Sequence, residues 1–263
     1  MNTPKRHSSQ DTKIQAVNLC KTFEKFQALK DISFSVSKGE IFGLLGPNGA
    51  GKTTCMKIFG GILHPTKGEA YIDGINVEKN PILSKSKIGF LPEYPALFEH
   101  ISGREFLTMI GKLRHMEKDK IDRRVNFFIE ILDLHEQIDY LIGTYSKGMR
   151  QKIAFTSAII HEPEILILDE PTSGLDPRFG KILKDMIKDF VSQDKTILMS
   201  THIIPVAESL CDRIGIINSG KLASVGTIKE LNEKANADDL ENAFITLVGG
   251  KSWAGMKSIL KTQ

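Results

Sequence analysis

The sequence predicts an α/β fold: a core of mostly parallel sheet with crossover helices, an antiparallel β subdomain, and an all-helical insertion subdomain. Three observations carry this. After Ser146, short apolar runs alternate with amphipathic segments; the first hundred residues read mostly as strands around one helix; and residues 94–145 have helical spacing with few strand signals. A chain of 263 residues with 41% hydrophobic and 25% charged content is ordinary for a globular protein and can bury a sizeable core.

Residues 1–12 form a flexible polar tail in this reading. Residues 14–19 and 32–36 are strands, the second alternating I-S-F-S-V with one apolar face. Ile41–Leu45 is a buried apolar strand, Lys52–Phe59 a helix, residues 69–73 a strand before the Gly74 turn, and Ile88–Leu91 a strand ended by Pro92. Residues 103–116 and 121–134 place Phe106, Leu107, Ile110, Leu113 and then Val125, Phe128, Ile129, Leu132 at helical intervals. From Ser146 a helix to Ile160, a strand at 165–168, a helix at 178–191 and a strand at 196–200 follow, implying parallel strands with crossovers. Asn218-Ser219-Gly220 is a turn, and Lys221 onward reads as a short hairpin and helical extension. The expected division is therefore a tail 1–12, a main domain 13–220 interrupted at about 94–145, and an extension 221–263.

Gly46-Pro47-Asn48-Gly49-Ala50-Gly51-Lys52-Thr53-Thr54 fits G-x-x-x-x-G-K-[ST], between a strand and a helix as that motif requires. Glycines let the backbone approach an anion without a Cβ in the way, and the loop and helix-start N–H groups converge on it. Lys52 is expected to reach the β- and γ-phosphates of a nucleotide and the Thr53 hydroxyl to ligate Mg²⁺, giving a P-loop ATPase core. The run Ile165-Leu166-Ile167-Leu168-Asp169-Glu170 ends a buried strand in two acids, at the sheet edge where ligands bind. Asp169 is placed to hold Mg²⁺ and Glu170 to orient or deprotonate the attacking water. His202, just beyond the strand at 196–200, belongs to the same edge and could donate to the γ-phosphate.

Other classes are disfavoured. A net charge of +3 is too small by itself to argue for a nucleic-acid partner, and none is expected; no apolar run reaches bilayer length, and the polar start lacks a signal core. Cys20, Cys55 and Cys211 have no C-x-x-C spacing and fit a reducing cytosol. Cys55, one turn into the phosphate-loop helix, reads as a small buried thiol rather than a reactive one.

With these residues in place, the chain resembles the ATP-binding subunit of an ABC transporter over residues 14–218. Phe23 resembles the family's adenine-stacking aromatic, and Glu93 stands where the family usually has glutamine, near Mg²⁺. Tyr145-Ser146-Lys147-Gly148-Met149-Arg150-Gln151 occupies the place of the L-S-G-G-Q signature, with Ser146 and Gly148 retained. Asp169-Glu170, the loop through Ser173-Gly174-Leu175-Asp176, and His202 complete the series. The resemblance implies ATP and magnesium as cofactors, with Ser146, Gly148 and Asp176 joining the phosphate loop in ATP binding. It further implies a second ATP-binding subunit, a homodimer foremost, a separate integral membrane permease, and a place on the cytoplasmic face of the cell membrane. Lys147, Met149 and Glu93 depart from the usual pattern in the manner of bacterial type-2 export systems, which favours an exporter. The alternative is a soluble ABC ATPase serving assembly or mechanical work uncoupled from transport.

Overall fold

In the computed structural model, which describes residues 11–249, the chain starts with a long hairpin, β1 (Thr12–Phe23) and β2 (Phe26–Ser37). Then come β3 (Ile41–Leu45), α1 (Lys52–Phe59), β4 (Lys67–Ile72), β5 (Ile75–Asn76), α2 (Pro81–Ser86) and β6 (Ile88–Leu91). Two helices, α3 (Gly103–Leu113) and α4 (Lys118–Leu132), follow, and a short 3-10 turn at Ile142–Thr144 leads into α5 (Lys147–Ile159). The rest alternates: β7 (Ile165–Asp169), α6 (Pro177–Ser192), β8 (Thr196–Thr201), α7 (Ile204–Leu210), β9 (Arg213–Asn218), β10 (Lys221–Gly226), α8 (Ile228–Ala235) and α9 (Leu240–Leu247).

Two sheets result. The antiparallel one has the order β2-β1-β4-β5, and the larger one β10-β9-β3-β8-β7-β6. In the larger sheet β6, β7, β8, β3 and β9 are all parallel, and only the edge strand β10 is antiparallel. Every residue of β3, β7 and β8 is buried, as expected of parallel strands covered on both faces. One core cluster lies around α1 between the two sheets, where the Phe34 and Phe42 rings stack with centroids 5.0 Å apart. The other joins the large sheet to the helical insertion, through Phe106, Phe128, Leu132, Tyr145 and Phe155 among others. Each such side chain contributes about 1.5–3 kcal/mol on burial, so α3 and α4 are anchored to α5 rather than free-standing.

Helix boundaries follow local chemistry. Ser102 and Glu105 form a reciprocal capping box at the start of α3, and Asp176 caps α6 with a following proline in its first turn. Four of these elements were not legible in the sequence: α2, α7, β5 and β9. The first two are six and seven residues long and too short to show periodicity. The hairpin expected from Lys221 onward instead begins at Arg213. Its turn, with left-handed Ser219 and Gly220, sits where expected, but its first strand β9 is an inner strand of the large sheet. The tail expected over residues 1–12 falls outside the described residues as far as Gln10, and β1 begins at Thr12.

Candidate active site

Sheet register assembles the site. β8 lies between β3 and β7, with Leu45 opposite Thr201 and Asp169 opposite Ser200. The phosphate loop leaves β3, the two acids leave β7 and His202 follows β8, so three neighbouring strand ends deliver their groups to one edge. The loop is closely held. The Gly46 N–H donates to the Thr201 carbonyl at 3.3 Å, and a Cβ on Gly46 would stand 2.2 Å from the Ile217 carbonyl oxygen. Gly51, with φ of 108°, has the Ala28 carbonyl oxygen 2.7 Å from where its Cβ would be, so backbone conformation and space both demand glycine.

Lys52 is 5% exposed and its ammonium has three donors. It donates to the carbonyls of Gly46 (2.8 Å) and Pro47 (3.2 Å), and lies 3.2 Å from Glu170 Oε1. Thr53 Oγ1 donates to Asp169 Oδ1 at 3.3 Å, and Ser200 Oγ donates to the same oxygen at 2.6 Å. Asp169 is fully buried, and its Oδ2 has no hydrogen-bond partner. Burial pushes its carboxyl above the ordinary aspartate range, and the charges of Glu93 and Glu170 add to that shift. A buried, unpartnered carboxylate oxygen beside a threonine hydroxyl fits a hard cation such as Mg²⁺. That ion typically takes one or two carboxylates and completes its shell with phosphates and water.

Glu170 has a left-handed backbone, φ 50°, which is costly for a residue with a Cβ and typical of functional turns. Its N–H donates to Ser200 Oγ (2.9 Å), so one serine fixes both acids. Glu170 Oε2 is 3.0 Å from His202 Nδ1. An ionised carboxylate only accepts, so Nδ1 carries the proton in that contact, and Nε2 can donate only when the ring is protonated. Ser200 is the residue that sequence reasoning missed; its signal was a hydroxyl near the end of the otherwise apolar run Thr196-Ile197-Leu198-Met199, directly before Thr201 and His202.

Glu93 is half-buried just past β6; it hydrogen-bonds the Tyr94 hydroxyl and is close enough to Asp169 to raise its pKa. Phe23 sits at the tip of the β1–β2 hairpin, 41% exposed, with the Lys21 ammonium 5.0 Å from its ring centre. Cys55 is buried and its thiol is pushed up to about 12, so it is inert where it stands.

Ser146, Gly148 and Asp176 form a separate group. Ser146 is exposed and accepts from Met149 N–H (3.3 Å), while Asp176 accepts from Phe179 N–H (2.9 Å), each at the start of its own helix. Gly148 faces Asp176: a Cβ there would have Asp176 Oδ2 as its sole near neighbour, at 4.0 Å. The capping bonds of Ser146 and Asp176 go to their own helices and not to the phosphate loop. An apolar cavity of about 520 Å³ between α4, α5 and α6, lined by Phe127, Phe155 and Ile182, also lies apart from the strand ends that carry the acids.

The sequence pattern of the family described as "ABC transporter" matches residues 29–173. The ABC transporter ATP-binding protein NatA of Bacillus subtilis is 35% identical over 228 residues, spanning 86% of this chain and 93% of that one. The Nod factor export ATP-binding protein I of Rhizobium meliloti is 32% identical, spanning 85% of this chain and 67% of that one. Among solved structures, a dimeric ATP-binding cassette, MJ0796, in a post-hydrolysis state bound to ADP and Pi superposes with a TM-score of 0.75. It is 25% identical, over 81% of this chain and 98% of that one. With the phosphate loop, the paired acids and the helix-start group in this arrangement, the chain belongs to the ABC transporter family, as an ATP-binding and ATP-hydrolysing subunit that uses ATP and magnesium.

Proposed function

We propose that this chain powers export through a separate membrane permease by closing in pairs on ATP. The observation that carries the reading is the split in the site. Lys52, Thr53, Asp169, Glu170 and His202 converge on one sheet edge, while Ser146, Gly148 and Asp176 stay on exposed helix starts bonded only locally. Two chains related by a two-fold axis would bring one chain's exposed group onto the other's nucleotide, the isologous arrangement of a symmetric dimer. Residues 13–220 act as the ATPase domain in this reading, with the insertion at about 94–145, and the β9–β10 hairpin joins that domain to the extension.

The residues of each chain then have defined tasks. Gly46 to Thr54 cradle the phosphates, Lys52 releases the loop carbonyls to reach them, and Phe23 stacks on the adenine. Thr53 and Asp169 hold Mg²⁺, with Glu93 near it, and the ion supplies charge neutralisation for the phosphoryl group. Glu170, held between Lys52 and His202, accepts the proton of the attacking water, and His202 orients Glu170 through Nδ1.

The permease is expected at the insertion. Tyr94, Phe98 and Leu113 are 80%, 61% and 67% exposed, leaving three large apolar side chains uncovered within residues 94–115. A groove of about 550 Å³ lined by Ile82, Phe90, Leu113 and Met116 continues that surface. Among the described residues no helix is long and apolar enough to cross a membrane. In this reading a separate permease forms the transport path, and the subunit docks on the cytoplasmic face of the cell membrane. Export is supported by the name of the Rhizobium relative, a Nod factor export protein, and by the Ser146-Lys147-Gly148-Met149 and Glu93 variants. Sedimentation of Glu170→Gln with and without ATP tests the pairing; the expected result is a dimer with ATP alone, and a persistent monomer even with the permease present would overturn it.

A further inference from the structure

Arg150, in the first turn of α5, directs its guanidinium back at the chain that precedes that helix, at two backbone carbonyls and one carboxylate. Nε donates to the Tyr145 carbonyl (3.3 Å), Nη2 to the Gly143 carbonyl (3.0 Å) and Nη1 to Glu99 Oε1 (2.6 Å). The backbone runs alongside these bonds: Gly143 N–H donates to the Glu99 carbonyl and Ile142 N–H to the Ile101 carbonyl, both at 2.9 Å. Residues 99–101 lie at the end of the segment that begins at Glu93, and Ser102 then caps α3. A continuous set of bonds therefore joins the start of α5, where Ser146 and Gly148 stand, to the segment leading out of the acid cluster.

Stability does not account for this arrangement. Arg150 is about one-third exposed and Glu99 about half, and such surface pairs add little to stability. A guanidinium that meets two carbonyls and a carboxylate at once is instead a device for direction, because its planar fork fixes all three partners relative to one another. We propose that Arg150 is a positioning residue for ATP closure. Held by Glu99, it aims the α5 start so that Ser146 and Gly148 meet the nucleotide on a second chain, and it ties that aim to the segment beginning at Glu93. The inference rests on the paired-chain reading above.

The test separates the two. In the full chain carrying Glu170→Gln, a fluorescent ATP analogue titrates the chain's own phosphate loop, and sedimentation with ATP measures pairing; kcat and KM are measured with Glu170 intact. For Arg150→Ala, analogue affinity and KM stay within about twofold while kcat and pairing fall about two- to thirtyfold, the range seen for coupling residues. Arg150→Lys retains the charge but, as a point charge without the planar fork, cannot hold both carbonyls and the Glu99 carboxylate in one fixed arrangement, so it groups with alanine; this variant also carries the reading if Arg150→Ala melts. Glu99→Ala gives a smaller loss, and the Glu99→Ala/Arg150→Ala double variant is no worse than Arg150→Ala alone, because one residue acts through the other. Parent-like kcat and pairing in both Arg150 variants, or additive losses in the double variant, would overturn the inference. If the Glu170→Gln parent itself does not pair, the paired-chain reading falls and takes this with it; if the parent pairs and the Arg150 variants pair equally, only this inference falls.

Discussion

The two halves of the proposed nucleotide site are built in opposite ways. At the strand ends, Lys52, Asp169 and Glu170 are at most 5% exposed, and one hydroxyl on Ser200 pins both acids. At the helix starts, Ser146 is exposed, Gly148 has an oxygen no closer than 4.0 Å to its missing Cβ, and Asp176 caps only its own helix. The first half carries a cost within the single chain: buried like charges, an orphaned carboxylate oxygen and a left-handed glutamate. The second half carries almost none. The difference teaches that strain collects where the chemistry must be preorganised, whereas a surface that has to meet and release a partner is left loosely committed.

The largest effects belong to the buried half. Glu170→Gln should lower ATP turnover by about 10²–10⁴-fold, the usual contribution of a positioned base, with ATP still bound. Lys52→Ala should instead lose tight ATP binding. Turnover assays with equilibrium nucleotide titration distinguish the two, and unchanged turnover in both variants would remove the catalytic assignment.

Gly148→Ala comes next and probes the exposed half alone. Beyond its own helix backbone, its Cβ meets no atom closer than 4.0 Å, so folding and ATP binding to the chain's own loop should be unaffected. A methyl forced into a close-packed contact costs about 1–3 kcal/mol, so ATP-dependent pairing and turnover should fall about five- to hundredfold, read by sedimentation and steady-state kinetics. Equal pairing in parent and variant would show that the helix-start group faces no partner nucleotide.

A smaller effect sharpens the claim that the buried half stores cost. Asp169 has its folded pKa raised by burial, so its favourable contribution is complete below the unfolded value of about 3.9 and is lost as pH rises through the folded value. At neutral pH the nucleotide-free protein therefore holds an unfavourable carboxylate. Asp169→Asn should raise the Tm of the free protein by a few degrees, at about 2–4 °C per kcal/mol for this size, while removing Mg²⁺-dependent hydrolysis. An unchanged or lower Tm at neutral pH would contradict the stored cost.

The smallest effect is a control of opposite sign outside both halves. His161 is held at about 4, chiefly by burial and also by the charge of Arg114, and its ring contacts the Ile88 carbonyl at 3.1 Å. A depressed pKa gives stability that is present above about 6.5 and lost as pH falls toward about 4. His161→Gln should flatten the acid limb of a Tm-against-pH curve without touching turnover at neutral pH; an unchanged limb would show that another group governs it.

Much of the buried half was legible residue by residue. The phosphate loop, the acid pair after an apolar strand and the histidine after the next strand are contiguous in sequence, and each sits where a strand must end. Ser200 was not, because a hydroxyl near the end of an apolar strand is by itself only a weak signal; its meaning comes from lying opposite Asp169 across a strand pair 31 residues apart in sequence. Strand β9 escaped for a related reason, since Arg213–Asn218 is six residues long and its partner β3 is far upstream.

By itself, the sequence determined the element types of the longer segments, the glycine turns, the helix caps and the residues proposed to face phosphate and metal. Those follow from local rules: period, capping and the backbone freedom of glycine act over a few neighbours. Only the tertiary structure decided strand order, the Ser200 bridge, the pairing of Lys52 and His202 through Glu170, and the Arg150–Glu99 tie. These depend on register between strands and on which distant side chains share a buried volume. The local code does not contain those choices, because hydrogen bonds and burial between remote segments are settled only when the whole core closes.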